Sequence, residues 1–86
     1  MSEPTIQLVE YRNGVYQGGF LRGRREGKGI LITDSGEVFV GTWKNDCLND
    51  KALIWLNEKK YVIGDFNRGL MDGSFVYRDG RSLFYA

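Results

Sequence analysis

The side chains that most often carry catalysis or bind metal ions are scarce in this 86-residue chain. It contains no histidine, so the commonest general base and metal ligand is missing. Its one cysteine, Cys47, stands beside Asp46 and near Asp50, and acidic neighbours do not activate a thiol as a nucleophile. The residues therefore predict no catalytic centre, no cofactor and no enzyme.

Two short segments resemble ligand-binding loops but lack the required pattern. Asp46, Asn49 and Asp50 cluster closely, yet their spacing misses the alternating ligands and terminal glutamate of a calcium loop. Residues 23–29 are rich in glycine, but they lack the lysine and hydroxyl residue of a phosphate-binding loop and lead into a strand instead of a helix. Solvated turn residues are the better interpretation of both segments, and no metal site is predicted.

One cluster of positive charge could bind an anionic surface. Arg22, Arg24, Arg25 and Lys28 lie within seven residues, and each cation near an anionic membrane contributes about 1 kcal/mol. The alternative is a solvated loop that Glu26 partly neutralises. A formal net charge of +1 gives no overall attraction to nucleic acid, and no aromatic residue is interleaved with these cations. The cluster is a candidate lipid or acidic-protein contact, and no nucleic-acid binding is expected.

A repeat sets the positions of these residues. Gly18, Gly41 and Gly64 are spaced 23 residues apart, and each lies between two large apolar residues at a distance of two. The three copies of this motif are Tyr16, Gly18 and Phe20; Phe39, Gly41 and Trp43; and Val62, Gly64 and Phe66. Repeats of this length stack on one another to bury their apolar faces, and the resulting surfaces are elongated. This pattern favours a binding or scaffolding protein.

Alternating apolar and polar residues between turn signals predict eight short antiparallel strands and no helix. The predicted strands are 5–11, 15–20, 28–33, 37–43, 52–57, 60–66, 74–78 and 81–85. Tight turns are predicted at Asn13-Gly14, residues 34–36, Glu58-Lys59 and Asp79-Gly80, and longer polar loops at 21–27, 45–51 and 67–73. The fold class is therefore all-β, an elongated single-layer antiparallel meander of stacked β-hairpins.

The aromatic residues of the repeat are expected to form a ladder on one face. Residues two apart in a strand share a face, so Phe39, Gly41 and Trp43 project together, and the absent side chain at Gly41 leaves a slot for a neighbouring ring. The predicted ladder comprises Tyr16, Phe20, Phe39, Trp43, Val62 and Phe66. The 23-residue spacing also relates Gly23, Asp46 and Gly69, which are types suited to a left-handed turn conformation.

These motifs resemble the MORN repeat, in which tyrosine, glycine and tryptophan alternate and are followed by a turn glycine and a G-x-G pair. The resemblance covers residues 15–80 and is best preserved between Tyr16 and Trp43. The second copy departs from it at residues 50–52 and at Lys59. The resulting organisation is a flexible N-terminus at 1–4 and one domain at 5–86, with a half repeat at 5–14, repeats near 15–37, 38–60 and 61–82, and a final half-repeat strand at 83–86.

The resemblance implies a single curved sheet in a protein that acts as a scaffold, of the kind found in ciliary, cytoskeletal and membrane-contact structures. The edge strands 5–11 and 81–85 expose unpaired backbone groups that invite an added strand from a partner. Tyr85 follows Val62 by 23 residues, so the last strand resembles half a repeat that another copy or another MORN-bearing chain completes. The candidate protein-binding residues are Leu83, Phe84, Tyr85, Trp43, Trp55, Tyr61 and Tyr77.

We therefore expect a non-enzymatic adaptor within a larger intracellular assembly, cytoskeletal or ciliary, that binds protein partners or self-associates. The lone cysteine and the absence of an N-terminal apolar stretch favour a cytoplasmic location. The alternative is a peripheral membrane module at the membrane surface, which would use Arg22, Arg24, Arg25 and Lys28 to bind anionic phospholipid.

Overall fold

The computed structural model describes residues 3–85 and consists of one open antiparallel sheet. Its eight strands are β1 (Thr5–Tyr11), β2 (Gly14–Leu21), β3 (Arg24–Thr33), β4 (Val38–Lys44), β5 (Cys47–Asn57), β6 (Lys60–Asn67), β7 (Leu70–Asp79) and β8 (Ser82–Tyr85). They lie side by side in sequence order, so β1 and β8 are the edges. The predicted all-β meander of eight strands is confirmed.

The three long loops predicted at 21–27, 45–51 and 67–73 are wrong, because the strands run through most of these segments. Within each segment, two consecutive residues with positive φ connect the two strands, which is the signature of a type I′ hairpin turn. The turns are Arg22-Gly23 (φ 52° and 77°), Asn45-Asp46 (49° and 70°) and Arg68-Gly69 (54° and 83°). The predicted turn equivalence of Gly23, Asp46 and Gly69 is therefore confirmed.

Extra residues beside these turns are absorbed by irregularities in strand pairing. The register shifts between Gly18 and Phe20, between Gly41 and Thr42, and between Gly64 and Phe66. Opposite each shift, the neighbouring strand carries one more residue with positive φ, namely Gly27, Asp50 and Gly73. A bulge of this kind leaves strand pairing intact on both sides, which is why polar segments that read as loops belong to strands.

One face of the sheet, here called the core face, carries the buried residues. They are Tyr16, Trp43, Leu48, Ala52 and Phe66, with Phe20, Leu31, Phe39 and Ile54 packed against them. Tyr16 is fully buried, meets Trp43 edge-on with ring centroids 5.6 Å apart, and donates its hydroxyl to the Gly19 carbonyl at 2.9 Å. Five of the six predicted ladder residues belong to this cluster, whereas Val62 does not.

The slot for a ring lies at a different glycine from the one predicted. A Cβ added at Gly29 would overlap the phenol ring of Tyr16, and the Gly29 carbonyl accepts a hydrogen bond from Trp43 Nε1 at 3.1 Å. A Cβ at Gly41 would instead meet Cβ of Ala52 at 2.8 Å. Gly41 therefore lets two strands pack closely, and Gly29 is the position over which a ring is buried.

The last strand does not keep the predicted repeat phase. Val62 pairs with Tyr77, and Tyr77 pairs with Phe84, so Phe84 and not Tyr85 continues the row that contains Val62. The cause is the Gly80-Arg81 turn, which is shorter than the turn between β3 and β4. Residues 1 and 2 of the predicted flexible N-terminus, and residue 86 of the final half repeat, lie outside the described residues.

Candidate functional site: the open face of the sheet

The face opposite the core, here called the open face, carries two continuous rows of mostly apolar side chains. Paired residues on neighbouring antiparallel strands project to the same side, so the register defines each row. The first row is Leu8, Gln17, Ile30, Val40, Leu53, Ile63, Val76 and Tyr85. The second row is Glu10, Val15, Ile32, Val38, Trp55, Tyr61, Arg78 and Leu83.

Much of this apolar surface is in contact with water. In the two rows Leu8, Val15, Ile30, Ile32, Trp55, Ile63, Leu83 and Tyr85 are exposed, by 38% to 72% of their surface. At roughly 150 to 250 Å² for a fully exposed large side chain, these eight residues leave about 750 Å² uncovered. The largest apolar patch on an ordinary monomer is about 300 to 600 Å², so the open face exceeds what a protein without a partner usually shows.

Two depressions mark the open face along the line of glycines. One, of about 450 Å³, is lined by Ile6, Gln17, Lys28, Ile30, Val40 and Thr42 beside Gly18, Gly29 and Gly41. The other, of about 310 Å³, is lined by Lys51, Ile63, Asp65, Ser74, Val76 and Tyr85 beside Gly64 and Phe75. Both have apolar floors with charged residues at the margin, an arrangement typical of protein-binding surfaces.

The candidate protein-binding residues are divided between the two faces. Leu83, Tyr85, Trp55 and Tyr61 lie on the open face, where they join the two rows. Tyr77 and Phe84 stack on each other on the core face, with ring centroids 5.8 Å apart. Trp43 is only 4% exposed, so its ring is buried in the core and cannot form part of a binding surface as predicted.

The basic segment is not a free loop, because Arg25 is fully engaged on the core face. Its backbone N–H and Nε donate to Asp46 Oδ1 at 2.8 and 2.9 Å, and Nη2 donates to the Asp46 carbonyl at 3.1 Å. Its guanidinium also lies 4.6 Å from the ring centre of Trp43 and 5.5 Å from that of Tyr11. Arg25 therefore fastens two hairpin turns together.

The other three cations do not share that environment. Lys28 pairs with Thr42 in β4 and lies at the margin of the larger depression, whereas Arg22 and Arg24 line a separate cleft with Glu26. Four cations therefore do not form one patch, and the geometry weakens the interpretation of the segment as a lipid-binding loop.

Two titratable groups respond to this environment. Burial raises the pKa of the Tyr16 phenol above the ordinary 10.0, although the nearby Arg25 opposes the shift. Burial acts to raise the pKa of Asp46 as well, but the hydrogen bonds from Arg25 outweigh it, so that this pKa lies below the ordinary 3.8. Both groups stabilise the core face and neither lies on the open face.

Sequence reasoning missed most of the open face, including Leu8, Ile30, Ile32, Val40 and Ile63. A signal was present, because β3 and β4 carry apolar residues at consecutive positions, as in Ile30-Leu31-Ile32 and Val38-Phe39-Val40. Apolar residues on both sides of a strand indicate that both faces are covered. In a single-layer sheet the second face has no cover from residues 3–85.

Comparison with known proteins identifies the repeat in two segments of the chain. The family model described as MORN repeat matches residues 16–38 and 63–80. These two segments are MORN repeats. The predicted second copy lies between these segments and is not matched; it is the copy that departs from the pattern at residues 50–52 and at Lys59. Alsin from Rattus norvegicus is 30% identical over 74 residues, which cover 77% of this chain and 4% of Alsin.

Two other kinds of site are absent from the part of the chain that the structure describes. Residues 3–85 contain no helix that is long and apolar enough to cross a membrane. Within the same residues, no three acidic, cysteine or histidine side chains come together where they could hold a metal ion.

Proposed function

We propose that this chain is a non-enzymatic scaffold or adaptor that binds a protein partner through the open face. The supporting observation is the pair of apolar rows that crosses all eight strands and leaves about 750 Å² exposed, at roughly 150 to 250 Å² per fully exposed large side chain. A standard protein interface buries about 800 Å² on each partner. One partner that covered both rows would therefore form an interface of ordinary size.

The partner's chemistry follows from the rows. Glu10, Gln17 and Arg78 are the polar members of the rows, and all three lie on or next to the edge strands of the sheet. The central strands carry aliphatic residues together with the paired rings of Trp55 and Tyr61, and a rigid aromatic residue within an apolar patch is a typical centre of binding energy. The partner surface should be apolar in the middle and polar where it meets the strands near the two edges of the sheet.

The sheet edges offer a second mode of association within the same function. β1 and β8 each have one unpaired side, and a partner strand can add there through backbone hydrogen bonds. Phe84 is 52% exposed on β8 and stacks on Tyr77, so an added strand could extend this row. Another MORN-bearing chain or a second copy is the partner that this edge favours.

The setting that we propose is a cytoplasmic assembly, cytoskeletal or ciliary, as the family resemblance suggests. The alternative, a module at the membrane periphery that binds anionic phospholipid through Arg22, Arg24 and Lys28, has less support because Arg25 is engaged with Asp46 and Glu26 lies among the remaining cations.

The edge and the open face can be tested separately by light scattering of the purified chain over a concentration series. If β8 mediates self-association, oligomers that form at high concentration should dissociate in Phe84→Lys and persist in the open-face variant Ile32→Lys. The reverse result would assign self-association to the open face. A monomer at every concentration would contradict self-association and direct attention to a different protein as the partner.

A further inference from the structure

Two equivalent clefts separate the successive type I′ turns at one end of the sheet. The first lies between Arg22-Gly23 and Asn45-Asp46, and the second lies 23 residues later, between Asn45-Asp46 and Arg68-Gly69. The same backbone hydrogen bond spans both, since Asp46 N–H donates to the Arg25 carbonyl at 3.1 Å and Gly69 N–H donates to the Leu48 carbonyl at 2.9 Å. The two clefts can therefore be compared residue by residue.

A carboxylate of the chain itself occupies the first cleft, which is lined by Leu21, Arg22, Arg24, Glu26 and Asn45. Glu26 Oε1 accepts a hydrogen bond from the backbone N–H of Asn45 at 3.2 Å, whereas the Asp46 carboxylate is bound to Arg25 on the core face. A backbone donor of the hairpin turn is thus satisfied by one internal anion, which lies beside two cations.

That carboxylate is missing from the second cleft, because Asn49 occupies the position equivalent to Glu26. The cleft encloses about 630 Å³ and is lined by Lys44, Asn45, Cys47, Asn49, Asn67 and Arg68. Two cations and three amides line it without a carboxylate, and no acidic side chain among residues 3–85 forms an ion pair with Lys44 or Arg68.

We propose that the second cleft binds an oxyanion, and specifically a phosphate monoester. In the first cleft, the Glu26 carboxylate shows where an anion can bind next to the hairpin turn. In the second cleft, the equivalent position carries no charge, so a bound ligand would supply the anion. A phosphate monoester carries a charge of about −1.5 to −2 at pH 7, which balances Lys44 and Arg68. Arginine, lysine and amide donors are the groups that recognise phosphate oxygens. This site is independent of the open face.

The test is a titration of the full chain with inorganic phosphate at constant ionic strength, followed by amide chemical shifts. Saturable shifts confined to residues near 44–49 and 67–69 are expected. Lys44→Gln and Arg68→Gln should each weaken binding about tenfold, because each removes one charge-assisted contact. Lys59→Gln, a cation in a turn at the other end of the sheet, is the matched control and should bind as the wild type does.

Exchange of the residues that differ between the clefts gives the sharpest comparison. Asn49→Glu restores the internal carboxylate and should abolish binding, whereas Glu26→Asn empties the first cleft and should add saturable shifts near residues 22–26 and 45. Preserved dispersion of the amide signals shows that each variant is folded. Equal binding by Asn49→Glu and the wild type, or shifts that rise linearly over the whole surface, would overturn the proposal.

Vesicles distinguish the two sources of such a phosphate. Retention by phosphatidylcholine vesicles that contain phosphatidic acid, with no retention by vesicles that contain phosphatidylserine, would identify a lipid phosphate monoester. Binding of inorganic phosphate without retention by either vesicle would identify a soluble phosphorylated ligand. If neither inorganic phosphate nor phosphatidic acid binds, the cleft is not an oxyanion site.

Discussion

Replacement of Gly29 by alanine should unfold the chain at much lower denaturant concentrations, because the new methyl group and the Tyr16 ring cannot occupy the same space. Tyr16 is the one side chain in the described core that is fully buried. It is also held by Trp43, Phe20 and the Gly19 carbonyl. To admit the methyl group, the ring must move away from all three.

The size of the effect follows from what the ring would lose. Removal of a buried aromatic ring from a core costs about 3 to 5 kcal/mol, and a displaced ring recovers part of this by packing elsewhere. We expect Gly29→Ala to lower the free energy of unfolding by about 3 kcal/mol, which is a large share of the roughly 5 to 15 kcal/mol of a typical domain. Gly80→Ala is the matched control. A Cβ added at Gly80 meets no atom within 4 Å. The substitution should therefore lower the free energy of unfolding by only about 1 to 2 kcal/mol, because the backbone of Gly80 is left-handed.

Urea unfolding followed by tryptophan fluorescence measures these differences, and a double-mutant cycle with Tyr16→Leu isolates the contact. In the Tyr16→Leu background, the methyl group introduced at position 29 has room, so Gly29→Ala should change the free energy of unfolding by less than about 1 kcal/mol. A Gly29→Ala cost that is no larger than that of Gly80→Ala, or that is unchanged in the Tyr16→Leu background, would refute the reasoning.

Three further predictions concern the core face and the open face. The pKa of Asp46 is lower when folded than when unfolded, so its contribution to stability is complete above the ordinary 3.8 and is lost as pH falls through the folded value. Asp46→Asn should flatten that part of an acid unfolding profile and, at neutral pH, cost no more than about 1 kcal/mol for a partly exposed pair. The pKa of Tyr16 is raised when folded, so stability should fall as pH rises above 10.0, and Tyr16→Phe should remove this dependence while costing about 1 kcal/mol for the lost hydrogen bond. Ile32→Lys should leave the free energy of unfolding, measured with urea, within about 0.5 kcal/mol of the wild type, because Ile32 is 48% exposed; a larger loss would show that Ile32 contributes to packing on the open face.

The sequence predicted the topology because its signals are local. Period-two alternation and the 23-residue spacing of Gly18, Gly41 and Gly64 define strands, order and repeat, and none of these depends on distant contacts. The long loops were mispredicted because a bulge adds polar residues to a strand without ending it, and the positive φ at Gly27 or Asp50 arises from pairing with the neighbouring strand.

The exposed residues of the open face were harder to predict than the fold, for a physical reason. Whether Trp43 or Trp55 is exposed depends on which face of the sheet packs its side chains into a core, and both residues fit the strand pattern equally well. Arg25 looked like one cation of a loop because its partner Asp46 is 21 residues away. The cleft at Lys44 and Arg68 likewise joins residues of two repeats, and only a comparison of the folded turns reveals the carboxylate that it lacks.

The most direct test of the central claim, that the open face binds a protein partner, is quantitative affinity capture with three matched baits. They are the wild type, the open-face variant Ile32→Lys/Ile63→Lys, and the core-face control Gln7→Lys/Ser82→Lys, which adds the same charge at exposed positions. All three should unfold at similar urea concentrations. The account predicts that one or more proteins bind the wild type and the control in equal amounts, are lost from the open-face variant, and bind the purified wild type directly when they are isolated. Equal capture by all three baits would contradict it.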